Sequence, residues 1–171
     1  SLLYEISNAI SYTLDYERLL KLITESLFKI VDYDICGSLL LNAQKVTITI
    51  KPAHAQTAQY ANDIRLILLE AMTTYTKEDF QDKEENVLLV FEGSEMHLEQ
   101  TPYGHKGQKR PSDQLSGQLK SFFNVPFVVG DRTIGMINVS SCKDNAFNEG
   151  QVRLIHAIAN QASQAIGRLQ A

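Results

Sequence analysis

The chain predicts an α+β domain: an antiparallel sheet of five or six strands, flanked by helices on both faces, with the N- and C-terminal helices packed together. Three observations predict it. Short β-rich runs occur at residues 35–41, 46–50, 87–91, 121–129 and 133–140. Tight-turn sequences, Asn42-Ala43-Gln44-Lys45 and Gly130-Asp131, join two pairs of these runs, and short turns require antiparallel neighbours. Apolar residues at helical spacing occupy both ends of the chain and residues 58–76.

Each element has a local reason. Leu3, Ile6 and Ile10 give the first helix a narrow apolar stripe. Asp15 is placed to cap a second helix, whose Leu19, Leu20, Ile23, Leu27, Phe28, Ile30 and Val31 form a wide core-facing side. The continuous apolar run 35–41 suits a central strand, and the alternation in 46–50 suits a strand with one wet face. Ile64, Ile67, Leu68, Ala71 and Met72 mark a third helix. Pro126 marks a strand edge or bulge, and Gly135 inside a strand marks a bulge or close packing. Asn148 and Gln151 form a capping-box pattern at the start of the last helix. In that helix Val152, Ile155, Ala159, Ala162, Ile166 and Leu169 follow a/d spacing, and no Gly cap or Pro closes the pattern before Ala171. The expectation is one domain over residues 1–171, excised from a longer protein.

Residues 93–118 stand apart, with Gly93, Gly104, Gly107, Gly117, Pro102, Pro111 and the basic cluster Lys106, Lys109, Arg110. A connection of this length exceeds the ~12–15 residues usual for structureless loops. It reads equally as a lid over a site or as an inert insertion.

Composition narrows the function classes. The chain has 171 residues, 44% of them apolar, and a net charge of −4, which argues against nucleic acid and anionic membrane surfaces as partners. No apolar run approaches membrane-spanning length, so no direct membrane contact is expected. Cys36 and Cys142 are too few for a disulfide framework, and reduced thiols in a cytoplasmic domain are the expectation.

Two blocks resemble the GAF domain, a sensor module of signalling proteins. The first, residues 10–41, runs from Thr13-Leu-Asp-Tyr-Glu-Arg-Leu-Leu to Asp34-Ile-Cys-Gly-Ser-Leu-Leu-Leu. The second runs from Val125-Pro-Phe-Val-Val-Gly-Asp through Ala146-Phe-Asn-Glu to the Ala-rich helix around Gln161. Residues 42–118, where such domains vary and hold ligands, match only in element order. The resemblance implies a GAF/PAS-like fold and a regulatory sensor controlling an attached histidine kinase, diguanylate cyclase, HD-type phosphodiesterase or transcriptional activator. Bacterial signal transduction, including two-component systems, is the setting it implies. A ligand-free dimerisation module and a haem or redox sensor are the alternatives.

The family's known chemistries fit this chain poorly. Cyclic-nucleotide binding goes with an Asn-Lys pair, a Phe and an Asp-Glu pair. Here Val139 follows Asn138, Lys143 follows Cys142, and Asn148-Glu149 follows Phe147, so a cyclic nucleotide is not expected. Bilin attachment wants a Cys-His pair, and the chain has none. His54, His97, His105 and His156 lack compact ligand spacing, so no metal site is expected. The family's methionine-sulfoxide chemistry needs loop cysteines, and residues 93–118 contain none. No catalytic residue is assigned, and the cofactor is left unknown. The resemblance places a small-molecule pocket under the third helix and long loop, lined by Tyr60, Ile64, Tyr103, His105, Phe123 and Asn138. Leu3, Ile6 and Ile10 with Val152, Ile155, Ala159, Ala162 and Ile166 are expected to form a homodimer seam, with Leu154, Ile158 and Ala165 turned to the sheet.

Overall fold

A computed structural model describes residues 2–11, 16–27, 29–80, 82–98 and 114–170. The elements in chain order are α1 (Leu2–Ser11), α2 (Tyr16–Leu27), β1 (Ile35–Asn42), β2 (Lys45–Pro52), a 3-10 turn (Ala55–Tyr60) and α3 (Ala61–Thr76). They continue with β3 (Glu84–Phe91), β4 (Ser94–His97), β5 (Ser121–Val129), β6 (Arg132–Ser141) and α4 (Glu149–Gln170). Six strands form one sheet in the order β4-β3-β2-β1-β6-β5.

The sheet is mostly antiparallel, with one correction to the expectation. β2 and β3 run parallel. Between them lies α3, a helical crossover that returns the chain to the end from which β2 began; a direct hairpin would have reversed it. The sixth strand, β4, falls in the segment read as loop. A turn through Glu92 and Gly93, both at positive φ, folds it back on β3.

Two cores sandwich the sheet. On one face α1, α2 and α4 enclose Leu19, Leu20, Ile23, Leu40, Val125, Phe127, Ile137 and Val139. On the other, α3 packs Ile64, Leu68, Leu69 and Met72 over Leu39, Ile48, Ile50 and Met136. Gly37 lets α3 approach this closely. A Cβ there would lie 2.7 Å from Ile64 Cγ2 and 3.3 Å from Leu68 Cδ1.

The terminal seam is the second correction. Ile155, Ala159, Ala162 and Ile166 are fully buried in the chain's own helical core, along with Ile158 and Ala165. Ile6 is buried with them, Leu3 packs against the same core, and Val152 is half-buried. Leu154, expected against the sheet, is exposed. The seam is therefore consumed within one copy, because the helix must cover both the sheet and α1. Ile10 lies on α1, with its side chain outside the described residues.

β6 carries a bulge. Phe127 pairs with Gly135 and Val128 with Thr133, so Ile134 is the extra residue. The β5 strand beyond it is a sheet edge, and that edge is blunted. Pro126 has no N–H to offer, and the Val128 N–H donates to Ser163 Oγ on α4 at 3.0 Å. Ser163 in turn donates to the Ala159 carbonyl at 2.7 Å. At the start of α4 the capping box forms as its sequence requires. Gln151 N–H donates to Asn148 Oδ1 at 2.9 Å, and Asn148 N–H to Gln151 Oε1 at 2.8 Å.

Candidate functional site

Strand alternation decides what lies beneath α3. Val125 and Phe127 point into the helical core, so Phe123 does too; it meets Phe147 edge-on at 5.1 Å. Phe123 is thus corrected out of the α3-side site. Its neighbours Phe122 and Asn124 face the α3 side, and Phe122 is 46% exposed. The signal was present in sequence as parity with Val125 and Phe127, and a one-residue slip inverts it.

Asn138 is where the sequence placed it, on the α3 face of β6, and it is fully buried. It is the centre of a polar line. Ser140 Oγ donates to Asn138 Oδ1 at 2.6 Å, and Asn138 Nδ2 donates to Asn124 Oδ1 at 2.9 Å. Hydrogen bonding is what allows these amides and hydroxyl to be buried at all, since an unpartnered one would cost ~1–3 kcal/mol. Gly37 stands beside Asn138 on β1, so α3 closes over one side of the line. Ile64 is corrected from pocket wall to core: it is fully buried, filling the space that Gly37 leaves.

The start of α3 supplies the rim. Asp63 is buried, and its carboxylate accepts Ser116 N–H at 3.1 Å as well as the Ser116 hydroxyl. This ties the segment before β5 to α3. Leu98 and Leu119, at either end of the long connection, both pack against the α3-side core. Burial, followed by the neighbouring Cys142 thiol, Asp34 and Asp63, raises the Tyr60 hydroxyl above the usual range. Tyr103 and His105 lie outside the described residues.

The two thiols are not poised for nucleophilic chemistry. Burial first, then Asp34, raises Cys142, and Asp34 also accepts the Cys142 N–H at 2.6 Å. Burial pushes Cys36 up to about 12. Thiolate is the reactive form, so both environments suppress it at neutral pH. Among the described residues no group of three His, Cys, Asp or Glu could hold a metal ion, and no helix is long and apolar enough to cross a membrane.

Comparison with known proteins follows the same lines. A family model for the GAF domain matches residues 13–167. The formate hydrogenlyase transcriptional activator FhlA of Escherichia coli (strain K12) is 22% identical over 165 residues, 96% of this chain. The chain spans only 22% of that relative's length. Among solved structures, a methyl-accepting chemotaxis protein (residues 122 to 287) is similar with a TM-score of 0.57 at 19% identity, covering 96% of each chain. The chromophore-binding domain of the bacteriophytochrome RpBphP3 from R. palustris has a TM-score of 0.60 at 8% identity, covering 99% of this chain and 60% of that one. At these identities the structures speak for the fold.

Proposed function

Because this chain belongs to the GAF-domain family, we propose that it is the regulatory sensor of a longer protein, with no catalytic step of its own. It takes a small molecule on the α3 face, over β5 and β6, and transmits occupancy to α4. The observation that carries this reading is the buried line Ser140–Asn138–Asn124, which ends at the half-buried Asn124 beside an exposed aromatic ring. Three polar side chains that satisfy one another in a row, running from the interior to the half-buried Asn124, leave a polar end within reach of a ligand. The route outward is short. Asn124 and Val128 share β5, and the Val128 amide is bonded to Ser163 of α4. A ligand that favours one setting of β5 biases the packing of α4 by its differential affinity for the two settings. An attached transcriptional activator is the output that the similarity to FhlA supports.

A thermal-shift screen against nucleotides, amino acids and small carboxylates should find a compound that raises Tm. Hydrogen exchange in β5 and β6 should slow in its presence. Protection confined to another surface would remove the α3 face as the site. A screen without any shift would favour a ligand-free interaction module.

Self-association through the terminal helices belongs to the same proposal, with different residues from those the sequence offered. Leu2 on α1 and Leu154 on α4 are exposed apolar side chains, whereas the a/d seam is occupied internally. Light scattering should show a dimer that Leu154→Lys weakens. A monomeric parent protein, or a dimer indifferent to Leu154→Lys, would count against this surface.

A further inference from the structure

We infer that the α3-face site takes an uncharged planar molecule with a lactam or carboxamide edge, and discriminates against phosphorylated compounds. The inference rests on the site proposed above and adds the chemical class of its ligand.

The polar line has a direction. Ser140 donates to Asn138 and Asn138 donates to Asn124 Oδ1. The Asn124 amide therefore holds its oxygen inward, and among the described residues its Nδ2 has no partner. A hydroxyl can donate or accept and both amides can turn over, so the same line can also present the Asn124 oxygen. A group able to meet either setting carries a donor and an acceptor side by side, which describes a lactam or a carboxamide.

Planarity comes from Phe122, which stands two residues before Asn124 on the same face of β5 and is 46% exposed. A flat ring laid on Phe122 brings its edge to Asn124, and stacking rewards aromatic shape.

The absence of net charge comes from the rim. Asp63 stands at the start of α3, where it accepts the Ser116 N–H at 3.1 Å, and Asp34 accepts the Cys142 N–H at 2.6 Å just past β6, so two carboxylates lie near Tyr60. The ammonium of Lys120, which precedes β5, donates to the Gly117 carbonyl at 2.8 Å and keeps its charge, a cation set against the two carboxylates. A phosphate would meet carboxylates at the rim and neutral amides at the floor. A carboxylate ligand would meet the same field with about half to two-thirds of a phosphate's charge.

The test is isothermal titration of the protein with uracil, hypoxanthine and nicotinamide, each beside its mononucleotide. It is repeated with Asn124→Leu and Phe122→Ala, whose folding is checked by circular dichroism. Phe122 is exposed, so its replacement keeps the test valid if Asn124→Leu does not fold. The expected result is binding by at least one uncharged ring, with its mononucleotide at least about tenfold weaker. Asn124→Leu should weaken the ring by about tenfold, and Phe122→Ala by a similar factor. Mononucleotides binding as tightly as the rings, and losing affinity in the variants, would overturn the ligand class and leave the site standing. Ring binding that neither variant alters would overturn the site itself. No binding by any of the three rings would overturn the class, while the broader screen would still report on the site.

Discussion

Arg65→Met will cost about 3–5 kcal/mol of stability, the usual penalty for stripping one partner from a buried ion pair. Arg65 is only 2% exposed. Its Nε donates to Glu85 Oε1 at 2.8 Å and its Nη2 to Glu85 Oε2 at 3.1 Å, a two-pronged contact between α3 and the start of β3. Nη1 also donates to Asn62 Oδ1 at 3.2 Å. With methionine in place, the Glu85 carboxylate loses its counter-ion in a site where its side chain is 9% exposed. The melting temperature should fall by on the order of 10 °C. The control is the double change Arg65→Met with Glu85→Leu. Removing both charges should recover most of the loss, since a well-packed apolar pair often matches a buried ion pair. A double variant as unstable as the single one would mean that the cost lies in packing rather than in charge. Urea denaturation of the four proteins closes the cycle.

Gly135→Ala should cost about 1–3 kcal/mol, as overpacking does where nothing can give way. A Cβ at this position would stand 2.4 Å from the Leu39 carbonyl oxygen, which is backbone of the central strand, and 2.5 Å from Phe127 Cδ2. Phe127 is fully buried and lies across from Gly135 on the helical side of the sheet. Its ring occupies the room that the glycine leaves. Alanine must push either β1 or Phe127, and moving Phe127 disturbs the strand that carries Phe122 and Asn124. The variant should therefore lose both stability and register in β5, seen as faster hydrogen exchange across residues 121–129. Unchanged exchange there, with reduced stability, would place the strain on β1 alone.

Local chemistry was legible in the sequence, and long-range geometry was not. The β5–β6 hairpin follows from Gly130-Asp131, and the α4 cap from Asn148 and Gln151, because each depends on residues close in the chain. The β4 strand was lost in residues 93–118 because four exposed residues carry no alternation to detect. The same limit hid the Arg65–Glu85 pair, whose members are far apart in sequence and meet only through the α3 crossover. The α4 stripe misled for a different reason. A helix packing on its own sheet and a helix packing on a partner both need apolar residues every three or four positions. Spacing alone cannot say which neighbour fills the groove. Of the residues proposed to line a site, Asn138 lies on the α3 face, and its hydrogen-bond partner Asn124 carried no sequence signal. Phe123 faces the helical core, while its neighbour Phe122 faces the α3 side.

The blunted edge of β5 has a consequence for how such a domain can be used. A sheet that ends in a free ladder of donors and acceptors can grow by capturing the next copy, and that hazard rises steeply where many copies are held at high local concentration. Here Pro126 offers no donor and Ser163 holds the Val128 amide. The α4 helix that would carry a signal outward therefore also serves as the stopper against runaway strand exchange. On the proposed route, lifting α4 from β5 would uncork the edge, so that route is compatible only with motions that leave the Ser163 bond intact.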